Sequence, residues 1–259
     1  MFEFSPPINI AAVAKAFAEQ GVVILRGFAA PEQVAKIRAA AMDALEKREA
    51  PLELEASLAY PGAPESTAAH GGQTVRRLRG MVARSTIFMD WAGYTPVLDL
   101  MRALLHTQDI TLTQAHHNSL MTKQPSFSSD TLWHRDVRYW RFSRPELVSC
   151  WLALGDENPA NGGLGFIPAS QHLELSEDAF DEREFLLAAH PQAAPWVAKA
   201  QFPTLAAGDV VLFDARTFHA ASRNTTAHTK YSLVMSYHAR DNKPLADSRS
   251  AAEAGIHWP

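Results

Sequence analysis

The chain has one cysteine in 259 residues, Cys150. An internal disulfide and a cysteine-ligated metal cluster are therefore both excluded. No apolar run approaches the length of a membrane span. The N-terminal stretch MFEFSPPINIAAVAKAF lacks the basic start and long apolar core of a secretory signal, so a reduced, cytoplasmic setting is expected. Excess positive charge is missing too. A formal charge of −4 and a pI near 6.3 give no overall drive toward nucleic acid or an anionic membrane. Internal repeats and low-complexity tracts are also lacking. What is present is an ordinary globular composition, 47% hydrophobic and 20% charged, at a length that suits one large domain, taken here as 1–259, or two small ones.

The N-terminal part has helical patterning. Ile10, Val13, Ala14 and Phe17 share a face, and Gly21 is placed to end that helix. The β-branched run VVILR at 22–26 predicts a buried strand. Pro31 suits the first turn of a helix whose face carries Val34, Ile37, Ala41 and Leu45. Residues 50–84, rich in Pro and Gly and ending in Arg76, Arg77 and Arg79, predict a lid or surface excursion in which the arginines form a solvated run, the alternative being a contact with an anionic group. A helix is expected from Pro96 to about His106. From Ile110 onward short strands alternate with turns: ITLTQAHHNSLM, TLWHRDVRYW, LVSCWLAL, GDVVLFDA and KYSLVMSYHA. Helices followed by many short strands predict a mainly β fold with flanking α, a double-stranded β-helix (jelly roll, cupin-like) buttressed by N-terminal helices. Residues 243–259 are expected to form a surface tail.

In TLWHRDVRYW, His134 and Asp136 stand two apart. On a strand they would share a face, with Arg135 opposite. With 11 histidines and 13 aspartates, chance alone predicts about half of one such pair, so the pair carries little by itself. Its company carries more. His219 follows the apolar strand VVLFDA, and in a double-stranded β-helix strands distant in sequence become neighbours. Two imidazoles and one carboxylate on one face of a metal leave positions open, as in non-haem Fe(II) oxygenases. Structural zinc sites are more often closed. Lys230, 11 residues after His219, could supply a cation for an acidic co-substrate.

These pieces resemble the phytanoyl-CoA dioxygenase (PhyH-like) family of Fe(II)/2-oxoglutarate-dependent oxygenases, over about residues 21–237. The resemblance rests on GVVILRGFAAPEQVAKIRAAA, on WHRD at 133–136, on ENPANGGLGFIPASQH, on GDVVLFDARTFHAASRN with Asn224 five residues after its histidine, and on Lys230, where the family usually has Arg. It implies that His134, Asp136 and His219 bind Fe(II). It also implies that Lys230, Trp151, Lys123 and Asn118 contact 2-oxoglutarate, that O2 is the oxidant, that the substrate is a small molecule, and that Trp140, four residues after Asp136, faces it; Arg138, just after the metal pair, is a further substrate candidate. Ser222 is one residue too late for the serine that many relatives place two after the distal histidine. Asp136, the residue that halogenating relatives replace, is retained, which implies hydroxylation. The alternative from another class is a non-catalytic cupin-like metal- or ligand-binding module; a zinc- or manganese-dependent isomerase on the same fold would have no need of Lys230. His116 and His117 are not both expected to face a pocket if one strand carries them.

Overall fold

The structure, a computed structural model, describes residues 1–259. Its strands are β1 (Phe2–Phe4), β2 (Val22–Leu25), β3 (Leu52–Leu54), β4 (Val75–Arg79), β5 (Ile110–Leu112), β6 (Asn118–Lys123), β7 (Thr131–His134), β8 (Val148–Ala153), β9 (Leu164–Phe166), β10 (Val210–Asp214), β11 (His219–Ala221), β12 (Lys230–Ala239) and β13 (Ile256–Trp258). The main helices are α1 (Ile10–Gln20), α2 (Pro31–Lys47), α3 (Thr86–Ala92) and α4 (Thr95–Leu105).

Two sheets make the jelly roll, and both stay open at their edges. The large sheet runs β1-β2-β10-β8-β12-β6-β4-β3, with β5 and β13 attached beyond β12; the small one runs β7-β11-β9. Strand parity then sorts the side chains. Val23, Leu25, Cys150, Leu152, Val210, Leu212, Leu233 and Met235 join the larger core beneath the helices. Their neighbours Val22, Ile24, Trp151, Ala153, Val211, Phe213 and Val234 point the other way and pack with Leu164, Phe166 and Ala221 of the small sheet. Both faces of the large sheet are covered, which is why its central strands read as unbroken apolar runs. Each fully buried Leu, Val or Phe contributes about 1.5–3 kcal/mol by leaving water. Cys150 is buried on the helix side, and burial pushes its thiol up to about 12.

The helices form where their patterns place them. Asn9 caps α1 by accepting from the Ala12 N–H at 3.1 Å, and Gly21 ends it at φ +67°. Pro31 occupies the start of α2, and Val34, Ile37 and Ala41 are buried on its inner face. The expected 96–106 helix is α4; the short α3 before it was not anticipated.

Three expectations need correction. Residues 50–84 are not one excursion: β3 pairs with β4, and β4 pairs with β6 in the large sheet. Arg76 there is 6% exposed rather than solvated. The tail from 243 is not all surface extension, because β13 pairs with β5. The expected strand at 110–121 is two strands, β5 and β6, separated by a bend over 113–117. In each case long-range pairing overrode local composition.

Gly21 ties the helical layer to the strand layer. Its carbonyl accepts from Thr217 Oγ1 at 2.9 Å and from the Asp214 N–H at 2.9 Å. A Cβ built on it would lie 2.4 Å from Thr217 Oγ1. Gly21→Ala is expected to lower unfolding free energy by about 1–3 kcal/mol, from the left-handed backbone and the overlap together. Urea denaturation checks this, and a loss under about 0.5 kcal/mol would contradict it.

Candidate metal centre and cavity

The small sheet assembles the candidate ligands. β7 and β11 run antiparallel with His134 directly opposite His219, and their rings lie 4.2 Å apart between centroids. β7 ends at His134, and Asp136 starts a single 3-10 turn over Asp136–Arg138. The His-x-Asp pair therefore straddles a strand end; it does not alternate along a strand. Its side chains still converge, while Arg135 turns away over the Phe218 ring at 4.1 Å. Ligand atoms from His134, Asp136 and His219 all lie within 4.8 Å of one another.

The hydrogen bonds around this cluster leave the right atoms free. His134 Nδ1 lies 2.8 Å from the Leu132 carbonyl, and His219 Nδ1 lies 3.0 Å from the Thr217 carbonyl. Each ring thus donates through Nδ1 and leaves a bare Nε2 lone pair, that of His219 3.8 Å from Asp136 Oδ1. Burial holds both imidazoles below their ordinary pKa; the neighbouring His219 adds to this at His134, and Asp136 opposes it at His219. Burial works against the Asp136 carboxylate too, but His117, His219 and His134 outweigh it and hold the group below the ordinary carboxylate range. Asp136 Oδ2 is buried without a hydrogen-bond partner. A divalent cation would satisfy that orphaned oxygen and both lone pairs, so the residues fit a metal with two imidazoles and one carboxylate.

A cavity of about 250 Å³ opens beside the cluster, between the two sheets, and suits small molecules. Lys230, Trp151 and Lys123 line it as expected. Lys123 and Lys230 are paired residues on β6 and β12, both nearly buried. Burial pushes both ammonium groups below their usual pKa. Lys230 Nζ lies 3.0 Å from Ser232 Oγ, 3.5 Å from Glu157 Oε2 and 4.7 Å from the centre of the Trp151 ring. Glu157, fully buried, accepts also from Trp151 Nε1 at 3.1 Å and from Ser232 Oγ at 2.7 Å. Lys123 Nζ donates to the Ser129 carbonyl and has no carboxylate partner.

Asn118 does not join them. It is buried outside the cavity lining and its Oδ1 accepts from the Val82 N–H at 3.1 Å. Parity along β6 explains this: Met121 and Lys123 take the cavity face, whereas Asn118 pairs with Met235 and lies with Leu120 on the helix side. Ser222 is also outside, donating to the Pro159 carbonyl at 2.7 Å. Trp140 and Arg138 both line the cavity.

His116 and His117 both line it as well, because the 113–117 bend frees them from strand alternation. His116 stacks on Trp140 with centroids 5.0 Å apart and lies 2.7 Å from Ser250 Oγ. His117 Nε2 sits 3.3 Å from Asp136 Oδ1, behind the ligand set. Sequence reading also missed Glu157, Tyr60 and Arg183. Glu157 stands just ahead of the NPANGG turn with no local pattern to mark it.

A jelly-roll fold with two histidines and one aspartate beside a buried cationic cavity is an arrangement found in mononuclear non-haem metal oxygenases. Comparison with known proteins narrows this. Residues 17–232 match the family model described as phytanoyl-CoA dioxygenase (PhyH), and the chain belongs to that family. It is 24% identical over 208 residues to the ectoine dioxygenase of Halomonas elongata, covering 73% of this chain and 61% of that one. It is 24% identical over 207 residues to the L-proline trans-4-hydroxylase of Streptomyces griseoviridis, covering 70% and 74%. The chain thus spans about three-fifths of the first relative's length and three-quarters of the second's. The fold superposes on EctD from S. alaskensis, solved with 2-oxoglutarate and 5-hydroxyectoine, with a TM-score of 0.74 and 22% identity over 92% of this chain and 79% of that one.

Burial holds the His116 imidazole down to about 3, with His117 and Arg249 adding to the effect. An unfolded histidine protonates near pH 6.5. The folded protein thus binds fewer protons in between, so this share of stability is complete above pH 6.5 and is lost as pH falls toward 3. His116→Gln should remove on the order of 1.5 kcal/mol of the stability loss between pH 6.5 and pH 5. Denaturant unfolding of metal-free wild type and variant at the two pH values measures this, and equal losses would contradict it.

Proposed function

We propose that this chain is an Fe(II)- and 2-oxoglutarate-dependent dioxygenase that hydroxylates an unactivated carbon of a small metabolite. The observation that carries the reading is the convergence of the His134–Asp136–His219 cluster and the Lys230–Lys123 pair on one buried cavity. Two curated relatives with names referring to ectoine and L-proline support a small metabolite. No helix is long and apolar enough to cross a membrane, and the single, buried, protonated thiol of Cys150 suits the cytoplasm.

His134 Nε2, His219 Nε2 and Asp136 would hold the iron. Ferrous iron with 2-oxoglutarate and O2 supplies the oxidising power for C–H hydroxylation, with succinate and carbon dioxide as co-products. The chain contributes binding and orientation. Lys230, Lys123 and Trp151 are the assigned 2-oxoglutarate contacts, with Lys230 facing its distal carboxylate. Glu157 holds Lys230 Nζ and Trp151 Nε1 in place. A lysine here makes a point charge where Arg would offer a fork. Asn118 has no part in this binding. His117 supports Asp136 from behind, and Trp140 walls the substrate side.

Anaerobic titration of the Fe(II)-loaded protein with 2-oxoglutarate should raise a weak visible charge-transfer band. His134→Ala and His219→Ala should abolish it, and Lys230→Ala should weaken 2-oxoglutarate binding about 10- to 100-fold, the share of a charge-assisted contact. Iron binding without any band would instead favour a non-catalytic module, and an unchanged affinity in Lys230→Ala would remove that residue from the co-substrate site.

A further inference from the structure

Beyond Asp136 the chain places a cation that 2-oxoglutarate does not need. Arg138 is 8% exposed, lines the cavity, and takes part in no ion pair. Its Nη1 donates to the Arg183 carbonyl at 3.1 Å, and its Nε is buried without a partner. The guanidinium lies 3.9 Å from the centre of the Phe185 ring and 4.4 Å from that of Tyr139, so aromatic faces fix it. A guanidinium withdrawn from water without an anion is strongly unfavourable, and buried charges are ordinarily paired.

The other cations divide into two groups. Arg76 is taken up by Glu55 at 3.2 Å and Ser129 Oγ at 3.0 Å, and Arg77 by Glu53 at 2.6 Å. Arg183 and Arg249 also line the cavity and, like Arg138, have no carboxylate partner. Arg183 is held by the Leu58 carbonyl at 3.0 Å and lies over Tyr60, 4.9 Å from its ring centre. The two carboxylates of 2-oxoglutarate are already matched, one by the metal and one by Lys230. Three arginines without a carboxylate partner therefore remain in the cavity lining, which Trp140 and Tyr139 share.

We infer that the primary substrate carries an oxyanion, a carboxylate or a phosphate or sulfate group, and that Arg138 is its principal anchor, with Arg183 and Arg249 attracting it at the cavity mouth. A planar, clamped guanidinium suits two-pronged recognition of such a group. Anchoring there holds the remainder of the molecule in the cavity shared with the metal ligands. The inference rests on the hydroxylase reading only for the purpose of the anion; the binding itself is independent of it.

Sulfate is the probe. Fe(II)-loaded protein saturated anaerobically with 2-oxoglutarate is titrated with sulfate by calorimetry, alongside Arg138→Gln, Arg138→Lys and Arg249→Ala. Wild type should bind one sulfate saturably, Arg138→Gln at least tenfold more weakly, Arg138→Lys in between, and Arg249→Ala two- to fivefold more weakly. Absence of binding to wild type, or an Arg138→Gln affinity within twofold of it, overturns the inference. Thermal midpoints report folding; if Arg138→Gln does not fold, Arg138→Lys and Arg249→Ala decide, and wild-type affinity in both overturns it. The charge-transfer band is recorded on the same samples. Its absence from wild type counts against the co-substrate reading, and the sulfate comparison is then made on metal-free protein.

Discussion

The antiparallel pairing of β7 with β11 is the contact on which the site depends. It sets His134 opposite His219, 85 positions further along the chain, and it sits on a sheet of only three strands. Such a small sheet cannot hold register alone. Its register is pinned from outside: Phe166 of β9 packs into the inner core with Phe213, and Thr217, two residues before His219, is bonded to the Gly21 carbonyl at the end of α1. A slip of one residue would send His219 to the far face and break up the two-imidazole, one-carboxylate set. The N-terminal helix, far from the cavity in sequence, thereby helps to hold the candidate metal ligands in place.

A second constraint is charge in a space with little water. Asp136, Glu157, Glu55, Lys123, Lys230, Arg76 and Arg138 are all nearly buried. Most are matched locally: Arg76 with Glu55, Lys230 with Glu157. The unmatched groups are Lys123, Arg138 and the triad itself, and these all border the cavity. The protein keeps its electrostatic debts where ligands can settle them, and satisfies the others within its own framework.

How much of this could be read from the chain depended on range. Gly21, Pro31 and the apolar periodicities marked α1 and α2, because those signals act within one or two helical turns. His134, Asp136, His219 and Lys230 were legible because the spacing of a few polar residues within apolar strands is visible in one dimension. The bend at 113–117 was not, so His116 and His117 were expected on one strand. Asn118 was misplaced for a related reason: without knowing where β6 begins, its parity relative to Lys123 carries no meaning. Glu157 and the Tyr139–Phe185 clamp on Arg138 are products of tertiary contact between segments far apart, and nothing local announces them.

Cys150 is next to Trp151, a residue of the cavity wall, yet parity puts its sulfur on the opposite face of β8, under the helices. Burial keeps it protonated at any physiological pH. A thiol of this kind is a poor nucleophile and a slow target for peroxide. On the proposed dioxygenase reading, activated oxygen escaping in an unproductive turnover would meet the aromatic lining first, Phe213 beside His219 and Trp140 beside His117. Self-inflicted oxidative damage in this molecule is thus expected as ring hydroxylation at the site, with the sole sulfhydryl surviving as the thiol.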